Sequence, residues 1–221
     1  MRIQLSLIAA VALCGTAVLS PAYALEKVAT PVMPSSVPGV AAAAGEPAAA
    51  FKLFKVYTDA KAPDNHYIPS GWMGDYGDLK FDDKYMTSPH GGTTSIQITY
   101  NGKGAQGARW AGIYWQNPPN NWGTRPGGYD LTGAKKLTFW ARGEKGGERI
   151  EEFKVGGITG EYADSDVAGI GPVVLTTEWQ QFTIDLDGKD LSSISGGFCW
   201  ATNVDVNPEG CTFYLDDIRY E

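Results

Sequence analysis

The chain is 221 residues long, with 18 Lys and Arg against 25 Asp and Glu, a formal net charge of −7, and 12% aromatic side chains alongside 28 glycines. Such an acidic balance excludes nucleic acid and anionic membrane surfaces as partners, because both are held through a basic footprint. No nucleotide-binding glycine loop, basic cluster or internal repeat offsets that exclusion.

The N-terminus reads as an address. Arg2, an apolar run from Leu5 to Leu19 and the Pro21-Ala22-Tyr23-Ala24 segment make the charged, hydrophobic and small-residue regions of an export signal over residues 1–24. The run is too short to span a bilayer, so the expectation is a secreted or periplasmic chain with no membrane insertion. Bulky Leu13 before Cys14 argues against lipid modification there. Residues 25–50 carry Pro31, Pro34, Pro38, Pro47 and two alanine runs, with few large side chains to offset the entropy of ordering. They read as a disordered linker.

Residues 51–221 read as one all-β domain, with short β-rich runs between turn signals and no helical period. Strands are expected at Phe51 to Thr58, Ser95 to Tyr100, Arg109 to Gln116, Lys136 to Ala141, Glu151 to Val155, Gln181 to Leu186, Gly197 to Ala201 and Thr212 to Asp216. The stretch from Asn65 to Asp75 has no strand pattern and reads as a long aromatic loop, with Tyr67, Trp72 and Asp75 at the border of a site.

The most informative segment is Ala108 to Gly123. Trp110, Gly112, Tyr114 and Gln116 alternate with Ala111, Ile113 and Trp115, and the strand then enters the polar loop Asn117-Pro118-Pro119-Asn120-Asn121. Aromatic rings with amide side chains between them can stack on the C–H face of a sugar and hydrogen-bond its hydroxyls. Trp115 shares its phase with Ile113 and is expected in the core, whereas Trp122, between Asn121 and Gly123, is expected to face solvent.

Further on, Leu137, Phe139 and Ala141 fall on one strand face and Thr138, Trp140 and Arg142 on the other. The same split recurs for Glu152 and Lys154 and for Gln181 and Thr183. If these strands adjoin, Trp140, Arg142, Glu152, Lys154, Gln181 and Thr183 share one polar face. The candidate ligand residues are therefore Trp110, Tyr114, Gln116, Trp122, Trp140, Arg142 and Glu152. Once the signal is removed, Cys199 and Cys211 are the remaining cysteines, and an oxidising compartment favours a disulfide between them.

The run Tyr129-Asp130-Leu131-Thr132-Gly133-Ala134-Lys135-Lys136-Leu137-Thr138-Phe139-Trp140-Ala141-Arg142-Gly143, the later Trp179-Gln180-Gln181-Phe182-Thr183-Ile184-Asp185-Leu186 and the closing Phe213-Tyr214-Leu215-Asp216-Asp217-Ile218 resemble jelly-roll carbohydrate-binding modules of the galactose-binding-like superfamily. The resemblance implies a two-sheet antiparallel β-sandwich and non-catalytic binding of a polysaccharide or oligosaccharide by a monomer. It also implies one structural Ca2+ between the first and last strands, with Asp59, Asp216 and Asp217 as candidate ligands. Adjacent aspartates resist burial without a cation, which agrees with that assignment.

Two other classes share these features. A glycoside hydrolase or lyase needs a spaced pair of carboxyl groups. Glu151 and Glu152, adjacent on a predicted strand, should point to opposite faces, and Glu152 meets Asp185 only if their strands adjoin. No G-x-S-x-G turn is present, and no catalytic residue is assigned. A structural or adhesion protein of the cell envelope would use the same sandwich with a protein partner.

Overall fold

The computed structural model describes residues 50–221. The expected export signal, Cys14 and the expected linker up to residue 49 lie outside the described residues. The chain forms β1 (Phe54–Tyr57), β2 (Ile68–Gly74), a single 3-10 turn (Tyr76–Asp78), β3 (Leu79–Tyr85), β4 (Ser95–Tyr100), β5 (Trp110–Gln116), β6 (Lys136–Gly143) and β7 (Arg149–Ile150). It continues through β8 (Glu152–Gly156), β9 (Val167–Ile170), β10 (Val173–Val174), β11 (Gln180–Asp185), β12 (Gly196–Asn203) and β13 (Cys211–Tyr220).

These strands make a two-sheet antiparallel sandwich. Sheet A runs β11-β6-β13-β4-β3, and β1 pairs with the second half of β13 where β4 has ended. Sheet B runs β2-β5-β12-β8-β9, and β7 with β10 forms a small ribbon. The core is the set of inward side chains dictated by strand alternation. Ile96, Ile98, Leu137, Phe139, Phe213 and Leu215 come from sheet A, and Ile113, Trp115, Phe153, Val155, Phe198 and Trp200 from sheet B. Aromatic rings interlock the layers: Phe139 lies 4.6 Å from Phe153 and 5.2 Å from Phe198, and Phe81 lies 5.8 Å from Trp115.

The eight expected strands all form, within a few residues at their ends. Two regions differ. The Asn65 to Asp75 stretch is not a loop throughout, since Ile68–Gly74 is an edge strand whose register on β5 shifts between Pro69 and Gly71. That irregularity breaks the period-2 pattern on which sequence reading depends. The charged run Leu79–Tyr85, for which no strand was expected, is also an edge strand, with Leu79, Phe81, Asp83 and Tyr85 turned to the less exposed side.

Two further expectations are corrected. β6 and β11 belong to sheet A and β8 to sheet B, so Trp140, Arg142, Gln181 and Thr183 do not share a face with Glu152 and Lys154, and Asp185 does not adjoin Glu152. Cys199 and Cys211 are both free and buried. Cys199 sits on the outer side of sheet B with Tyr114 and Ile158, while Cys211 packs in the main core. A sheet therefore separates the two thiols, and no bridge joins them.

Candidate functional site on the outer face of sheet B

Strand pairing lays out this face in rows. One row crosses Gly71, Tyr114, Cys199, Lys154 and Gly169, and the next crosses Met73, Gly112, Ala201 and Glu152. The middle of both rows is small. A Cβ at Gly71 would lie 2.8 Å from the Tyr114 Cβ, so the glycine lets β2 close on β5 and lowers the floor. Together the rows cross the outer face of β2, β5, β12 and β8.

Large side chains stand at its ends. Trp110 opens β5 and is 39% exposed; Trp122 follows β5 and is 41% exposed. Trp110 lies four residues before Tyr114, about 13 Å along the strand at ~3.3 Å per residue. Trp122 meets the Tyr114 ring edge-on at 5.9 Å and 89°. A ligand touching both indoles is therefore longer than one sugar ring.

The loops that carry the two indoles are tied down by polar groups. Gln116 is fully buried; its Nε2 donates to the Asn121 carbonyl at 3.0 Å, and its Oε1 accepts from Ser70 Oγ at 3.0 Å. Gly123, at φ 76°, lies against the Thr159 carbonyl too closely to admit a side chain. Its own carbonyl accepts from the Tyr162 amide at 3.0 Å, which places Tyr162, 38% exposed, beside Trp122. Asp164 pins the far side of that loop by accepting from the amides of Ile158 at 3.0 Å and Ser195 at 2.5 Å. Burial pushes its carboxyl above the ordinary range, and those amides act in the opposite sense.

Under Trp110, Asp75 has no solvent exposure and accepts from the amides of Gln106, Ala108 and Arg109 at 2.8, 2.9 and 2.6 Å. These amides, that of Ala108 first, hold its carboxyl below the usual range. Asp75 thus shapes the turn before Trp110 and is not on the open surface. Tyr67 is buried as well, donating to the Ile194 carbonyl at 2.8 Å, and Trp72 packs at the edge of the sandwich 5.9 Å from Phe81.

Of the seven candidate ligand residues, Trp110, Tyr114, Gln116, Trp122 and Glu152 gather on this face. Tyr114 and Gln116 are buried and act as supports, with the Tyr114 hydroxyl donating to the Gly156 carbonyl at 3.0 Å. Trp140 and Arg142 stand on the outer face of sheet A. Sequence reading missed Lys154 as a site residue. Its Nζ lies 5.5 Å from the Tyr114 ring centre and 3.0 Å from Glu152 Oε2, and its two-residue spacing from Glu152 was the available signal. Met73 and Tyr162 lie on segments with no readable period.

Glu151 and Glu152 line one depression with Gly169, Ile170 and Gly171, contrary to the opposite faces expected, because Glu151 precedes the strand. Each is neutralised by a base, Glu151 by Arg149 at 2.8 Å and Glu152 by Lys154 at 3.0 Å.

The candidate calcium ligands all reach the 90–94 segment. Asp59 Oδ1 accepts from the amides of Thr93 and Thr94, both at 2.8 Å. Asp216 Oδ2 accepts from the amides of His90 and Gly91 at 2.9 and 3.1 Å, and Asp217 Oδ2 meets His90 Nδ1 at 2.8 Å. Among the described residues, no group of three or more His, Cys, Asp or Glu side chains is placed to hold a metal ion. As arranged, Asp59 and Asp216 hold the backbone of this loop through its amides. Burial pushes the Asp216 carboxyl up to about 6, with the charge of Asp217 adding to it.

No family model matches the chain, and no curated protein matches it. Solved structures do. One crystal structure of a family 30 carbohydrate-binding module is 16% identical, aligning 76% of this chain with 87% of that one at a TM-score of 0.52. A second is 17% identical, aligning 77% with 98% at 0.53. The family 30 module of a cellulosomal cellulase of Clostridium thermocellum is 17% identical, aligning 77% with 97% at 0.50. The described domain therefore has the jelly-roll β-sandwich fold of carbohydrate-binding modules.

Proposed function

We propose that the outer face of sheet B binds a polysaccharide chain without cleaving it, and that the protein does so outside the cytoplasm after export. The observation that carries this reading is the pair Trp110 and Trp122, two exposed indoles at the ends of one sheet face. A soluble domain leaves such rings on one open face at a cost unless a ligand covers them. Lys154 and Glu152 supply a donor and an acceptor beside the small-residue floor, and the comparable solved folds belong to carbohydrate-binding modules.

Binding without cleavage is supported by Glu151 and Glu152 each being engaged in an ion pair, with Arg149 and Lys154. The test is a pull-down of the full chain on a panel of insoluble and soluble polysaccharides, with the supernatant assayed for reducing sugar. Retention without sugar release, lost in Trp110→Ala and Trp122→Ala, is the expected result. Sugar release would replace binding by hydrolysis. Absence of retention across the panel would move the reading to a protein partner in the cell envelope.

A further inference from the structure

We propose that the outer face of sheet A carries a second ligand site, in which Arg142 takes the carboxylate of a uronic acid unit in an acidic polysaccharide. Arg142 lies beside Tyr214 across the β6–β13 pairing. Its guanidinium carbon sits 3.8 Å from the Tyr214 ring centre and 5.2 Å from that of Trp179. Both rings are fixed. Tyr214 is buried, its hydroxyl donating to Glu144 and accepting from Gln97 Nε2 at 3.0 Å, and the Trp179 indole donates to the Ser88 carbonyl at 3.0 Å. The guanidinium is thereby held flat and half-buried.

What distinguishes it is what it lacks. Arg109, Arg149 and Arg219 pair with Asp205, Glu151 and Glu221, and Arg125 donates to the Pro119 carbonyl. The Arg142 side chain makes no hydrogen bond or ion pair with any described residue. Its donors form a rigid fork whose geometry matches a carboxylate bidentately, and stacking has already removed much of its rotamer freedom. Charge complementarity therefore points to an anion. Trp179 beside it provides half-exposed aromatic surface for the attached sugar ring.

Two carboxylates near Arg142 are already engaged. Glu144 is bound by Tyr214, and Asp217 by His90 at 2.8 Å. The acidic balance of the whole chain acts at longer range, and salt screens it beyond roughly 8 Å at physiological ionic strength. The site is independent of the outer face of sheet B, which lies on the opposite side of the sandwich.

The experiment is calorimetric titration of the full chain with a galacturonic acid trimer and with its methyl ester, in wild type, Arg142→Met, Arg142→Lys and Trp122→Ala. Met retains the apolar contact with Tyr214 and Trp179, and melting temperatures are recorded for each variant. The acid is expected to bind and the ester to bind at least tenfold more weakly, as loss of a charged bidentate contact implies. Arg142→Met should match the ester effect, and Trp122→Ala should leave acid binding unchanged. If Arg142→Met does not fold, Arg142→Lys decides, since it keeps the charge and loses the fork. A severalfold loss supports the site, and full retention overturns it. Equal binding of acid and ester, binding lost only in Trp122→Ala, or no binding of the acid also overturns the proposal.

Discussion

The indole of Trp122 stands perpendicular to the ring of Tyr114, with centres 5.9 Å apart, and the two have opposite relations to solvent: Trp122 is 41% exposed and Tyr114 is 4% exposed. One ring is a platform and the other its foundation. Removing the platform should therefore lower polysaccharide affinity by about 1 to 3 kcal/mol, as for an anchor residue, while the melting temperature hardly moves. Tyr114→Ala should lower both, because it deletes a buried ring and its hydrogen bond to Gly156. Binding isotherms and thermal melts of the two variants check this. A Trp122→Ala protein that melts early and binds normally would identify the ring as packing.

Within β5, neighbouring tryptophans separate binding from stability. Trp115 is 2% exposed, between Phe81 and Phe198. Trp115→Ala should cost about 3 to 5 kcal/mol in denaturant unfolding, the range for deleting a buried aromatic. Trp110→Ala, at the exposed end of the same strand, should change unfolding little and weaken binding.

Chemical modification tests the cysteines. The two thiols lie on opposite sides of sheet B, so under non-reducing denaturation both should react with a thiol reagent, and dithiothreitol should not shift the melting temperature. In the native state both should react slowly at neutral pH. Burial raises the Cys211 thiol to about 12 and pushes the Cys199 thiol higher still, and only the thiolate is reactive. Thiols that appear only after reduction would show the chain joined after all.

The Asp75 carboxyl is held below its unfolded value by amides of the 104–109 turn. A depressed folded value stabilises the protein above the unfolded value, near pH 4, and that stability is lost as pH falls through the folded value. Asp75→Asn should therefore melt earlier than wild type at pH 7, and the gap should narrow as pH drops below about 4. Melts at pH 7 and pH 3 measure it. A gap independent of pH would assign the effect to shape and not to charge.

Chelation addresses the 90–94 segment. Because Asp59 and Asp216 are already bonded to backbone amides, EDTA should leave the melting temperature of the full chain unchanged. A calcium-dependent rise would mean that the segment opens to admit a cation.

Sequence by itself determined the class of fold and most of its strands. In Ser95–Tyr100, Arg109 to Gln116 and Lys136 to Ala141, inward and outward residues alternate cleanly, and alternation is a local property that one chain segment displays. It also separated Trp115 from Trp122, since phase with Ile113 and flanking by Asn121 and Gly123 are local as well. The edge strands β2 and β3 were less legible. One carries a register shift at Pro69 and Gly71 and the other a run of charges, and edge strands need fewer apolar residues because one side meets water.

Only the tertiary structure decided which outward faces lie together. A strand's own pattern states that a residue points out, not which sheet the strand joins, because pairing is set by contacts distant in sequence. Glu152 and Arg142 have equivalent outward phases on their strands, yet β8 joined sheet B and β6 joined sheet A. The same long-range choice put Cys199 outside and Cys211 inside, turned Asp75 from a surface group into a buried brace, and brought Trp110, Trp122 and Lys154 to one sheet face. It also left Arg142 on the opposite side, stacked on Tyr214 with its donors free.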